Sequence, residues 1–175
     1  MAARTIRLLI VDDSAVMRRF MRETFAGALA QRLDSRSALK VVEVTQPMPI
    51  RSATIHIGAG DTDLVVTRDG ADMIAQPAPP DASPWHPSAN RMVASTLEFL
   101  PATKLIGVLL TGMGDDGAQT MAELHTRGGR TIAESEASAV VFGMPADLIR
   151  RNGAARILPV EQVAAALGAW VGAPR

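Results

Sequence analysis

Residues 109–118 read L-L-T-G-M-G-D-D-G-A, from Leu109 to Ala118. The apolar run Leu105 to Leu110 stops abruptly at Thr111. Gly112 and Gly114 flank Met113, Asp115 and Asp116 follow, and Gly117 precedes a helical pattern. A buried strand therefore feeds a tight loop that presents carboxylates where the loop turns into a helix. In parallel α/β sheets that end of a strand is where ligands and reacting groups gather.

Working outward, the pattern repeats. Gly128-Gly129 leads into the strand R-T-I-A, then a helix over Pro145 to Arg151, a short strand at Ile157-Leu158 and a last helix from Val160 to Trp170. A helix over about Asp116 to Arg127 joins the first two strands. Alternating strands and helices imply a parallel sheet with right-handed crossovers. Toward the N-terminus, Ile6–Val11 (I-R-L-L-I-V) is a buried strand cut off by Asp12-Asp13-Ser14. Val16, Phe20, Met21, Phe25, Leu29 and Leu33 keep helical spacing, with Gly27 a possible break. K-V-V-E-V, A-T-I-H-I and L-V-V-T read as short strands between glycines, with a hairpin near residues 54–67. Gln76 to Pro87 holds five prolines and reads as a loop, and Met92 to Leu100 as a helix that Ser88 can cap. The expected fold class is α/β: a mostly parallel, doubly wound sheet flanked by helices, with a small β-hairpin, in a single domain.

Composition narrows the function. A chain of 175 residues fits one domain, and 47% hydrophobic content supplies a core. Eighteen basic and eighteen acidic residues give zero net charge, which opposes nucleic-acid or membrane-surface binding through bulk charge. The absence of cysteine excludes disulfides, thiolate nucleophiles and zinc-thiolate sites. Aromatics are 3% with no tyrosine, so a base-stacking platform is not expected. Apolar runs reach only about six residues, far short of a spanning helix. The start, M-A-A-R-T-I-R, enters a strand pattern directly, so no signal peptide is expected and the cytoplasm is the expected compartment.

Several motifs resemble one family. They are F-A-G-A-L-A-Q-R-L-D (Phe25–Asp34), I-H-I-G-A-G-D (Ile55–Asp61), W-H-P-S-A-N-R-M (Trp85–Met92), G-V-L-L-T-G-M-G-D-D-G-A (Gly107–Ala118) and G-G-R-T-I-A-E-S-E-A-S-A-V-V-F-G-M-P (Gly128–Pro145). In this order and spacing they resemble the catalytic domain of the bacterial chemotaxis protein-glutamate methylesterases (CheB-type). The resemblance runs from residue 25 to the C-terminal end, 25–175. Residues 1–24, with I-R-L-L-I-V-D-D-S-A-V-M-R-R-F-M-R-E, resemble the first strand and helix of a receiver domain. The resemblance implies hydrolysis of glutamate methyl esters, and deamidation of glutamines, on methyl-accepting chemoreceptors, without a cofactor or metal. It also implies a serine, a histidine and an aspartate as catalytic groups. The family's serine stands in a G-A-S-T-G-G turn and its histidine in a Q-H-M segment. Neither motif occurs in these 175 residues, and Met21-Arg22-Glu23-Thr24 stands where the histidine segment is expected.

The aspartate carries over as Asp116. Read from its position alone, Asp116 is a helix N-cap. Read through the resemblance, it accepts a hydrogen bond from the histidine and fixes its tautomer. Asp115 reads as a solvated neighbour. The resemblance sets Thr111, Gly112, Met113, Gly114 and Gly117 in a loop beside the active site, where glycines allow positive φ and close backbone approach. Ser14 follows a strand and precedes a helix, as a nucleophile would. No glycine sharpens that turn, and Asp12 and Asp13 oppose an anionic transition state, so a helix cap is the stronger reading. If Ile6–Val11 fills the place of the family's first catalytic strand, it pairs centrally and brings Ser14 to the sheet end of Asp116.

The resemblance to a receiver gives Asp12 and Asp13 a role in holding magnesium. Arg68 stands where the phosphoacceptor aspartate is required, and Thr62–Arg68 fits better as the family's hairpin after Gly60-Asp61, so no phosphorylation and only weak metal binding are expected. His125 lies nine residues past Asp116, about 13 Å along a helix, too far to be its direct partner. His56 and His86 read as structural or surface residues, and no pair has metal-site spacing. Three functions follow as expectations: the methylesterase itself, a catalytically inactive module that binds chemoreceptors, and a deletion remnant. The two missing motifs weigh toward the latter pair.

Overall fold

The computed structural model describes residues 7–10, 25–60 and 62–172. Its contacts divide into two compact units, 1–99 and 100–175.

The first unit carries β1 (Arg7–Ile10), α1 (Phe25–Asp34), β2 (Lys40–Val44), β3 (Met48–Pro49), β4 (Thr54–Gly58), β5 (Asp63–Asp69), β6 (Asp72–Ala78) and α2 (Ala89–Phe99). A parallel ladder runs in the order β1-β4-β2, and an antiparallel one in the order β3-β6-β5. Ala30 of α1 is buried against Val41 and Ile57, with Leu29, Leu33 and Ile55 around them. One helical stripe thus meets alternate residues of two strands, the periodicities of 3.6 and 2 that the two elements impose. Asp34 ends α1 and accepts the Val41 N–H at 2.7 Å, which fixes the helix to β2. On α2, Ala89, Val93 and Leu97 recur every fourth residue and are buried. Met92 and Phe99 close over Leu64, Val66 and Ala75 of the hairpin. Ser88 accepts the Arg91 N–H at 3.3 Å, the cap expected for this helix.

The second unit holds a 3-10 turn (Ala102–Lys104), β7 (Ile106–Leu109), α3 (Ala118–Thr126), β8 (Arg130–Glu134), α4 (Met144–Arg150), β9 (Arg156–Leu158) and α5 (Val160–Gly172). Its ladder is parallel, in the order β7-β8-β9. Val163 and Ala166 of α5 bury Ile132, joined by Val108, Leu158, Leu167 and Trp170. Thr131, next to Ile132, points its hydroxyl elsewhere. It donates to Gly153 O at 2.6 Å and accepts from Ala155 N–H at 2.9 Å. That pair ties the α4–β9 connection to β8. Gly153 is small because a Cβ there would stand 2.5 Å from Leu148 Cδ1 and 2.7 Å from Ala122.

The α/β class, with parallel sheets and five helices among the described residues, is the one expected. Four local expectations are corrected. The hairpin is β5–β6, 63–78, and β4 joins the parallel ladder instead. Proline-rich residues 76–78 belong to β6, because Pro77 pairs with Leu64 on a strand whose other edge meets only the two-residue β3. Gly27 lies inside α1 and does not break it. The N-cap of α3 is Gly117, not Asp116, so the helix starts two residues later than expected. Strand β1 pairs with β4 but stands at the end of that ladder, so β4 is its middle strand. Ser14, Asp12 and Asp13 lie outside the described residues. Among the described residues, no helix is long and apolar enough to cross a membrane.

Candidate active-site loop

Parallel pairing of β7 with β8 sends both strands out at the same end of the second unit. The loops that follow, 110–117 and 135–143, meet there. Gly112 forms a bridge with Phe142. Its N–H donates to Val141 O at 3.0 Å, and its carbonyl accepts the N–H groups of Gly143 at 3.1 Å and Met144 at 2.9 Å. The Thr111 hydroxyl donates to Val141 O at 3.2 Å and accepts the Val141 N–H at 2.8 Å. The two loops are one hydrogen-bonded body.

Glycines make this approach possible. A Cβ on Gly143 would sit 2.8 Å from Gly112 O and 3.0 Å from Gly114 N, against backbone that cannot rotate away. Gly114 at φ 93° and Gly117 at φ 81° take the left-handed conformation that side chains resist.

Asp116 sits in this loop with no solvent exposure. A buried carboxylate needs polar partners or a positive neighbour to remain charged. Met113, three residues earlier, is 57% exposed, so the loop turns its methionine out and its second aspartate in. Asp115 is exposed, as expected. It adds to the raised pKa of Arg151, whose chief cause is the hydrogen bond to Asp147. Asp147, buried on α4, binds Arg151 Nε at 2.7 Å and Arg150 Nη2 at 2.6 Å.

Glu134 was not singled out by its sequence context, yet it is 2% exposed at the exit of β8. Its Oε2 accepts the Thr111 N–H at 2.7 Å and its Oε1 the Ser138 hydroxyl at 2.8 Å. An acidic residue ending an apolar strand was the available signal.

The three histidines belong to other elements. His125 is on α3, and His56 is buried in β4. His86 approaches the fully buried Asp63 through Nδ1 at 3.0 Å. Asp63 also accepts the Ser88 N–H at 2.6 Å and pairs with Arg91. Arg91 then reaches Asp81 at 3.3 Å and Pro79 O at 2.7 Å, which clasps residues 79–88 to β5. Asp63, Asp81 and His86 bring one donor atom each within 4.8 Å of one another. The Arg91 guanidinium already bridges both carboxylates there, so the group is built as an ion pair. Arg68, on the hairpin strand β5, lies over the Phe99 ring and reaches Phe99 O at 3.5 Å.

Comparison with known proteins places this geometry. Residues 14–167 match the family model described as CheB methylesterase. The chain is 51% identical over 148 residues to the protein-glutamate methylesterase/protein-glutamine glutaminase 2 of Rhodopseudomonas palustris, covering 84% of this chain and 40% of that protein. It is 45% identical over 159 residues to the corresponding protein 3 of Rhodospirillum rubrum, covering 89% and 42%. The chain therefore spans about two fifths of the length of the curated relatives it matches. The crystal structure of the Thermotoga maritima CheB methylesterase catalytic domain superposes with a TM-score of 0.83 at 28% identity, covering 93% of this chain and 82% of that one. With a family model over most of its residues, close relatives in sequence and a shared fold, the chain belongs to the CheB methylesterase family.

Proposed function

We propose that this chain carries the aspartate part of a protein-glutamate methylesterase site, acting on glutamate methyl esters and on glutamines of methyl-accepting chemoreceptors in the cytoplasm. The observation that carries the reading is Asp116, fully buried in a loop clamped at the strand exits of a CheB-family fold. In such a site a serine hydroxyl attacks the ester carbonyl while a histidine takes its proton. The histidine passes that proton to the departing methoxide, which leaves as methanol. Water then attacks the acyl-serine, with the histidine as base again, and frees the glutamate carboxylate and the serine. Asp116 accepts the histidine's other ring N–H, fixing its tautomer and stabilising the imidazolium. Thr111, Gly112, Met113, Gly114 and Gly117 form the loop that shapes this place. Ser14 is the nucleophile candidate that the sequence offers. Residues 1–24 are read as receiver-like and 25–175 as the methylesterase part, and no metal or cofactor enters the reaction.

A second reading has its own support. His86 Nδ1 is taken by Asp63, and His125 lies nine residues past Asp116, on α3. Neither the G-A-S-T-G-G turn nor the Q-H-M segment occurs in these 175 residues. A chain without nucleophile and base is a pseudoenzyme that docks on chemoreceptors, or a deletion remnant without a selected role. Methanol release from methylated receptor membranes, run beside co-sedimentation with the same membranes, separates the three. Release that Asp116→Ala abolishes supports the esterase. Co-sedimentation without release supports the docking module. Neither, from a chain that self-associates, supports the remnant.

A further inference from the structure

We infer that Glu134 is the positioning residue of the Asp116 loop, holding it through a backbone amide. This rests on the reading of that loop as the esterase site. Thr111 is the first residue beyond the apolar strand run, and it opens the segment that ends in Asp116. Its N–H has Glu134 Oε2 as acceptor at 2.7 Å, a charge-assisted bond whose carboxylate is only 2% exposed. The other carboxylate oxygen takes the Ser138 hydroxyl proton at 2.8 Å, and Ser138 Oγ in turn accepts the Val160 N–H at 3.0 Å. The start of α5, the β8 exit loop and the β7 exit loop are thus joined through one carboxylate.

The position is not easily replaced. Loss of the acceptor removes a charge-assisted hydrogen bond made by a buried carboxylate at the strand exit. The Thr111 hydroxyl is already committed to Val141, and Gly112 to Val141, Gly143 and Met144. The Thr111 amide ties the start of the loop to a side chain of β8 itself. A shift there moves Asp116 relative to any histidine it must orient, and sub-ångström misplacement is what positioned catalysis tolerates least. A glutamine at 134 keeps an acceptor for Thr111 and offers its NH2 to Ser138, but Ser138 then accepts twice and its own proton needs a new partner. Glutamine should therefore rescue in part, and alanine not at all.

The test compares amide hydrogen exchange and methanol release in the full chain and its Glu134→Ala and Glu134→Gln variants. Alanine should speed exchange at Thr111 and Gly112 by about ten- to a hundred-fold. Ile132, in the interior of β8, should not change. Glutamine should speed Thr111 by roughly two- to five-fold, since the acceptor loses its charge. Where methanol release is measurable, kcat should fall in the same order with KM held. Equal exchange at Thr111 in all three proteins, equal acceleration of Thr111 and Ile132, or no rescue by glutamine would each overturn the proposal. If Glu134→Ala does not fold, the glutamine comparison decides alone: local acceleration supports it, and unchanged exchange overturns it. A chain that releases no methanol sinks the esterase reading, while the exchange data still decide whether Glu134 holds this loop.

Discussion

At the scale of single residues, three carboxylates are placed so differently that each behaves in its own way. Asp116 is buried in the loop after β7, and Asp116→Asn keeps its shape while removing the charge and replacing one acceptor oxygen with a donor, which disturbs the tautomer of a partner histidine. We expect methanol release to drop by roughly 10⁴-fold with the circular dichroism spectrum unchanged. Asp34 is held below its ordinary value of 3.8, first by the Val41 N–H and then by Lys40. A depressed carboxylate stabilises the fold above its ordinary pKa, and that contribution is lost as pH falls through the folded value. Glu43 has the opposite sign. Burial pushes its carboxyl above 4.5, so its contribution is present below that value and lost as pH rises through the raised one. Urea denaturation against pH should therefore show Asp34→Asn flattening the acid loss of stability. Glu43→Gln should stabilise at neutral pH and make no difference in acid. The loop after β7 was legible from its glycines, whereas Asp116's role in it was read through the family resemblance and not from its position. Glu134 and Asp63 were not legible, because a carboxylate adjoining an apolar strand gives no periodicity and declares itself only through partners distant in sequence.

At the scale of elements, the account depends on loops packed backbone to backbone. Gly143→Ala drives a Cβ onto Gly112 O and Gly114 N. Overpacking of this kind costs about 1–3 kcal/mol. We expect that loss in urea titration, together with lost methanol release, because the two exit loops must part. Asp63→Ala removes the buried acceptor of Arg91, His86 and Ser88 N–H. Breaking a buried ion pair costs several kcal/mol, but Arg91 and His86 reach solvent, so we expect about 2–4 kcal/mol. Proteolysis should then cut within residues 79–88 first. Helices α2, α4 and α5 and strands β7 to β9 were legible because their apolar spacing and flanking glycines or prolines agree. The β5–β6 hairpin was misread by one strand. Its turn, Asp69 to Asp72 around Gly70 at φ 56°, has the chemistry of a hairpin, but the apolar runs on either side of Gly58 looked equally suited to pairing.

At the scale of the molecule, family and α/β class were readable because long motifs and the strand–helix alternation span most of the chain. The ladder position of β1 was not, since a short apolar strand carries no record of its neighbours. Zero net charge leaves little long-range repulsion between copies near neutral pH. We expect light scattering to show self-association greatest near pH 7 and reduced on either side. The central proposal is chemical: Asp116 in this fold serves the hydrolysis of glutamyl methyl esters to glutamates. Mass spectrometry of a methylated receptor fragment, before and after incubation with the chain, tests that claim most directly. The account predicts loss of one methylene mass per esterified glutamate with the native chain and none with Asp116→Asn. Unchanged fragment masses with a folded, monodisperse native chain, or equal losses with both proteins, would contradict it.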